Sequence, residues 1–135
     1  LLLLELRVRD FVKSDYVCLK PEMSTKTAME ELIHHQMSEG YIVSPEGKLI
    51  GKVTMPSLLA ANPEIAIEAI SEKKPIFIKH DASLLQAIEV ASSFVGESIP
   101  IVVSDTRQMV GIVTEADLFQ LYLSTQSKVK DLERA

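Results

Sequence analysis

Two copies of a β-α-β-β-α unit, giving a mixed α/β (α+β) chain, are what this sequence predicts. Three observations carry the expectation. Residues 42–54 match 102–114 without a gap at a shift of 60; Val43/Val103, Ser44/Ser104, Gly51/Gly111, Val53/Val113 and Thr54/Thr114 are identical, and Leu58/Leu118 continues the series. Upstream, residues 17–24 match 76–83 at a shift of 59; Lys20/Lys79 and Ser24/Ser83 are identical, and Ala28/Ala87 and Glu30/Glu89 follow. The two blocks occur in the same order, and the one-residue change of register falls where a helix-to-strand loop takes an insertion. Self-similarity at a fixed period marks a repeated supersecondary unit.

Each element follows from local chemistry. The apolar runs 16–19 and 76–78 read as strands. Thr27-Ala28-Met29-Glu30 and Ser83-Leu84-Leu85-Gln86 each have the form of a capping box, in which two side chains satisfy N–H groups of the first helical turn. Ala28, Met29, Leu32, Ile33 and Met37 recur at helical spacing, as do Leu84, Ala87, Ile88, Ala91 and Phe94, and predict one apolar face per helix. Gly40 and Gly96 stand near the helix ends, where a left-handed residue is easily accommodated. Strands over 41–43 and 48–54 flank the turn 44–47, and strands over 100–103 and 109–114 flank 104–107. Second helices follow over 56–61 and 116–123, with Pro56 in a first turn, where its missing N–H costs nothing. The predicted division is a flanking helix or linker over 1–12, a first repeat over 13–62, a connecting segment over 63–74, a second repeat over 75–124 and a charged tail over 125–135.

Composition narrows the function. At 135 residues the chain is long enough for a core of its own, and 47% hydrophobic with 24% charged residues is the make-up of a globular protein. A net charge of −5, with no basic run, argues against nucleic acid as a partner, because that affinity rests on clustered cations that neutralise phosphates. The single cysteine, Cys18, forms neither an internal disulfide nor a thiolate cage and reads as a buried inert thiol. The chain begins Leu1-Leu2-Leu3-Leu4 rather than with Met, which reads as a piece of a longer protein. The leucines fit either a packing helix or the end of a linker from an upstream domain, and Glu5 without a basic leader is unlike a signal peptide. No run reaches the roughly 20 apolar residues that span a bilayer. His34 and His35 are adjacent on a helix and do not converge on a metal, and His-Glu-x-x-His is absent. His80 stands where Pro21 stands in the first repeat, a loop position. No Gly-x-Ser-x-Gly, no phosphate-cradling glycine loop and no marked acid–base pair occurs, so the sequence offers no catalytic residue and no metal site.

On these residues the chain resembles the CBS domain family over roughly residues 8–124. Val8-Arg9-Asp10-Phe11-Val12 looks like the short segment that precedes a first CBS domain. Gly111-Ile112-Val113-Thr114-Glu115-Ala116-Asp117-Leu118 looks like the family's Gly-x-x-Thr-x-x-Asp-Leu ending. The resemblance implies two repeats packed through their sheets with pseudo-twofold symmetry, commonly as a homodimer, attached to an enzyme, transporter or channel. It also implies clefts between the repeats that hold adenosine-containing ligands in many members and nothing in others. The expected ligand is AMP, ADP, ATP or another adenosine derivative, with no cofactor required.

Thr114 closes a strand and Asp117 lies three residues on, so both side chains can face one side of a cleft. A carboxylate accepts hydrogen bonds from both ribose hydroxyls, and a hydroxyl with free N–H groups at a helix start suits a phosphate. The resemblance makes Asp117 the ribose anchor and places Thr114 near the phosphate, with Ile112 in the same motif. It takes the opposite wall from the first repeat at Val17, Gly40 and Tyr41. Helix capping alone also explains Thr114 and Asp117, and strand packing explains Tyr41. The first repeat departs from the pattern, because Ser57 stands where Asp117 stands and offers one hydroxyl without charge. At most one good nucleoside site is therefore expected. Lys52, Lys73, Lys74 and Arg107 are cations available to a phosphate, none in a recognisable clamp. Two functions remain: a ligand-sensing regulatory module, from Thr114 and Asp117, or a ligand-free dimerisation and coupling module, from Ser57 and the missing clamp. The leucine start and Leu6-Arg7-Val8-Arg9-Asp10 are also similar to the cytoplasmic tails of CLC-type chloride channels and transporters. That likeness implies a cytoplasmic piece that modulates ion transport, and other transporters and soluble proteins carry the same module.

Overall fold

The computed structural model describes residues 5–94 and 96–134; the leucines at 1–4 lie outside the described residues. The first repeat forms β1 (Cys18–Leu19), α1 (Thr25–His34), β2 (Glu39–Val43), β3 (Leu49–Thr54) and α2 (Met55–Ala60). The second forms β4 (Ile78–Lys79), α3 (Leu84–Ala91), β5 (Ser98–Val102), β6 (Met109–Thr114) and α4 (Glu115–Arg134). The described residues make two three-stranded sheets, ordered β1-β2-β3 and β4-β5-β6. β1 runs parallel to β2, and β4 to β5, because a helix carries the chain across between them. β2 returns antiparallel as β3 through a turn whose Gly47 has φ of 85°, a conformation a side chain would strain. This is the α+β architecture the repeat predicts.

The chain divides into two compact units that do not follow its linear repeats. One holds the chain up to Ser14, Ile76–Ser104 and the chain from Val110 on; the other holds Asp15–Pro75 and Asp105–Met109. In the unit of β4–β6, a strap from the start of the chain is bound by backbone hydrogen bonds. Leu84 N–H donates to Leu6 C=O at 2.8 Å, Val8 N–H to Ala82 C=O at 2.9 Å, and Lys13 exchanges two bonds with Ile112 at 2.8 and 2.9 Å. In the unit of β1–β3 the segment 65–72 repeats every one of them. Thr25 N–H donates to Ile65 C=O at 2.8 Å, Ile67 N–H to Met23 C=O at 2.9 Å, and Glu72 exchanges two bonds with Lys52 at 2.9 and 3.0 Å. The straps give partners to edge groups of β3 and β6 that would otherwise go unpaired. Val8 and Ile67 are both fully buried, so each strap is also pinned by one apolar side chain, a burial that stabilises by roughly 1.5–3 kcal/mol. Around them lie two separate cores, one with Leu84, Ile99, Ile101 and Leu118, the other with Leu19, Leu32, Ile42 and Leu58.

Several local expectations are corrected. α1 starts ahead of the predicted box: Ser24 is its cap, with Thr27 N–H donating to Ser24 Oγ at 3.1 Å, while Ser83 and Gln86 form the reciprocal box foreseen for α3. Ile33 points outward and is 61% exposed. Gly40 lies inside β2 rather than at a helix end, and the left-handed residue after α1 is Gln36, with φ of 56°. Within the flanking segment 1–12, whose first four residues lie outside the described ones, Val8–Phe11 forms a 3-10 turn. The segment expected as a tail continues α4 to Arg134, since neither Gly nor Pro follows Gly111. Cys18 is exposed, not buried; partial desolvation still pushes its thiol pKa up, against a hydrogen bond with Tyr16 that lowers it, which favours the protonated thiol. No helix among the described residues is long and apolar enough to cross a membrane.

Candidate functional site

Thr114 ends β6 and caps α4, its Oγ1 accepting from Asp117 N–H at 3.0 Å. The cap sets Asp117 in the first turn of a long helix, where the exposed N–H groups favour a carboxylate. Asp117 Oδ2 lies 2.9 Å from the Lys13 ammonium. That oxygen is shielded from solvent, and Lys13 is the cation that faces it. Burial raises the Asp117 pKa, but hydrogen bonding and attraction from Lys13 and the Thr114 contacts outweigh it. The carboxyl is held below its ordinary value and is an anion at neutral pH. Ile112 is buried beside this corner and exchanges both backbone hydrogen bonds with Lys13, so its N–H is not open to an adenine edge.

Val17, Gly40 and Tyr41 belong to the other unit. Val17 is buried, and its C=O accepts Tyr41 N–H at 2.9 Å. A Cβ on Gly40 would meet Leu19 Cδ1 at 2.7 Å, so the position is held open for packing. The Tyr41 ring is buried, edge-on to Tyr16 at 6.3 Å between centroids and 5.7 Å from the Lys52 ammonium. The structure thus gathers Thr114, Asp117 and Ile112 around β6 and α4, and Val17, Gly40 and Tyr41 around β1 and β2.

The equivalent corner of the first repeat is chemically different. Thr54 N–H donates to Ser57 Oγ at 3.1 Å, and the Ser57 hydroxyl donates to Thr54 C=O at 2.8 Å, so the hydroxyl is committed to its own helix cap. Glu72 occupies the strap position that Lys13 holds in the other unit. Of the cations considered for a phosphate, Lys52 is buried against Glu39 at 2.9 Å, and Lys73 donates to Glu68 C=O. His35 faces Glu31 at 3.6 Å on an exposed helix side, and no cluster of His, Cys, Asp or Glu among the described residues suits a metal. Sequence reasoning misses Lys13 and Glu72. The signal for them is the 59-residue shift carried upstream, which aligns Val8 with Ile67 and Lys13 with Glu72.

The CBS domain family model matches residues 8–64 and 67–124, opening at the two buried strap residues. The chain is 29% identical over 119 residues to the A-adding tRNA nucleotidyltransferase of Aquifex aeolicus, covering 86% of this chain and 14% of that enzyme. It spans 14% to 24% of the length of the curated relatives it matches. Among solved structures, the CBS domain pair of protein MJ0100, in complex with 5-methylthioadenosine and S-adenosyl-L-methionine, has a TM-score of 0.72 and 28% identity, covering 88% of this chain and 97% of that one. The cytosolic domain of the Mg2+ channel MgtE, in complex with ATP, has a TM-score of 0.75 and 21% identity, covering 82% of this chain and 46% of that one. Two matched ranges, each with its own sheet, strap and capped second helix, show that the chain belongs to the CBS domain family as a tandem pair.

Proposed function

We propose that this chain is a regulatory module that binds an adenine nucleotide or nucleoside at the Thr114–Asp117 corner and transmits the binding to an attached enzyme, transporter or channel. The observation that carries the reading is Asp117: a carboxylate kept ionised at a helix start, on a half-open surface, with a capping hydroxyl beside it. Such a group accepts from both hydroxyls of a ribose, and charge-assisted hydrogen bonds of this kind are the strong ones. The adenosine-containing ligands of the MJ0100 pair and the ATP of the MgtE domain support the same ligand class. A bound ligand biases the attached partner only through unequal affinity for its two states. An ion-transport parent, of CLC type or another, would place the module on the cytoplasmic side.

Calorimetry and thermal shift with AMP, ADP, ATP and adenosine, on wild type and Asp117→Ala, test the reading. Saturable binding that raises Tm and disappears in Asp117→Ala is the expected result; ligand at a hundred times Kd adds about 2.7 kcal/mol to folding stability. A wild type that binds none of the four, or an alanine variant that binds as well, overturns it.

One surface favours a second reading, a ligand-free homodimerisation and coupling module. Phe119 and Leu123 on α4 are 60% and 46% exposed, beside an apolar groove of about 580 Å³ lined by Ile88, Ala91, Leu118 and Tyr122. Contiguous exposed apolar surface marks an interaction site. Sedimentation equilibrium showing a dimer that Phe119→Asp splits, with none of the four ligands bound, is the result this reading requires.

A further inference from the structure

We propose that Lys13 makes the Thr114–Asp117 corner select phosphorylated nucleosides, by exchanging its ion-pair partner from the Asp117 carboxylate to the ligand's phosphate. The inference rests on reading the corner as a nucleoside site, and it adds a specificity residue and a ligand charge to that reading.

The backbone of Lys13 cannot retreat from the corner. It is fixed to Ile112 on β6 by two hydrogen bonds, and the strap lies so close to the strand that a Cβ on Gly111 would meet Lys13 O at 2.7 Å and collide with Val12. The side chain, in contrast, is 54% exposed on a flexible four-carbon stem and is free to swing. Its ammonium sits 2.9 Å from Asp117 Oδ2, an oxygen shielded from solvent. A ribose diol that engages both carboxylate oxygens must therefore displace the ammonium. Once displaced, the charge stays tethered within one side-chain length of the site.

The two classes of ligand differ in what they return. A neutral riboside such as adenosine breaks the ion pair and gives the ammonium only water. A nucleotide breaks the same pair and supplies a phosphate anion in exchange, so the ammonium ends in a charge-assisted contact again. Two of the other cations are already engaged: Lys52 faces Glu39 inside the other unit, and Lys73 donates to Glu68 C=O. At the equivalent corner of the first repeat, Glu72 stands in the strap and Ser57 in the helix, a pairing that repels a phosphate and lacks the ribose carboxylate.

Isothermal titration of AMP and of adenosine into wild type, Lys13→Met and Lys13→Arg tests the exchange. In the wild type AMP binds more tightly than adenosine, and added salt narrows the gap. Lys13→Met weakens AMP by about tenfold to a hundredfold and leaves adenosine unchanged or tighter, so the preference collapses. Lys13→Arg keeps the preference, because it keeps the charge. If Lys13→Met weakens both ligands equally, or leaves the AMP-to-adenosine ratio intact, the exchange is overturned while the nucleoside site stands. If the wild type binds neither ligand, the nucleoside reading fails and takes the exchange with it.

Discussion

The two repeats share a backbone and differ in where each keeps its charges. Lys52 and Ile112 are bound to their straps by the same pair of hydrogen bonds, and both are 6% exposed. In the first repeat Lys52 meets Glu39 in a buried ion pair at 2.9 Å; in the second, Ile112 and the fully buried Ile99 occupy the same two positions. At the strap corner the arrangement reverses. There the second repeat has the ion pair, Lys13 with Asp117, and the first has Glu72 and a serine committed to its cap. A pair sealed inside a sheet is held by the cost of leaving either charge alone. A pair on a half-open surface is screened and worth little to folding, so a ligand can compete for it. The same backbone thus keeps its ion pair inside the sheet in the first repeat and at the strap corner in the second.

The sharpest way to break that comparison is at the buried pair. Lys52→Met removes the cation 2.9 Å from the buried Glu39 carboxylate and close to the Tyr41 ring, and is expected to cost about 3–5 kcal/mol in urea unfolding. Glu39→Ile combined with Lys52→Ile copies the other repeat and is expected to cost less than the single change, because no charge is left unpaired. A single variant that loses under about 1 kcal/mol would mean that the pair is not structural and that the contrast with Asp117 is empty.

A smaller effect separates the two straps. A Cβ at Gly111 meets backbone, the Lys13 carbonyl at 2.7 Å, whereas at Gly51 the nearest atoms are Ser71 Oγ at 3.2 Å and Glu72 O at 3.3 Å. Gly111→Ala must push the strap off β6 and is expected to lose about 1–3 kcal/mol, as overpacking does. Gly51→Ala needs a shift of a few tenths of an ångström and is expected to lose less. Parallel urea titrations measure both; equal losses would erase the distinction between a tightly and a loosely seated strap.

The repeat, the order of elements and the corner itself are legible in the sequence because each has a local signature. Identical residues at a fixed shift give the units, and Thr114 with Asp117 three residues later gives a capped helix start. The cap of α1 is misread because Ser24 and Thr27 both stand three residues ahead of a side chain that can complete a box. The strap settles it: Thr25 and Lys26 donate their N–H groups to Ile65 and Pro63, so the first turn begins there. Lys13 is not legible as part of the site. Its partner lies at the far end of the chain, and the strap that joins them crosses from one linear repeat into the unit of the other. A spacing rule reports neighbours along a helix or strand and is silent on such a contact.

The smallest expected effect is on stability against pH, and it tests whether the surface pair holds the fold at all. Burial raises the Asp117 pKa, but Lys13 and Thr114 together bring it below the unfolded value of about 3.9. A carboxyl whose folded pKa is depressed contributes stability that is full above its unfolded pKa and is lost as pH falls through the folded one. The stability difference between wild type and Asp117→Asn is therefore expected to be constant from neutral pH down to about pH 5 and to shrink below that. Ser57→Ala, at the corner where a serine stands in place of Asp117, should show a difference independent of pH. Other groups also titrate in this range, since hydrogen bonding from Ser104 holds Asp81 low, so the informative quantity is the difference between the two curves and not the acid limb of either. A flat difference for Asp117→Asn would show that the Lys13–Asp117 pair does nothing for folding.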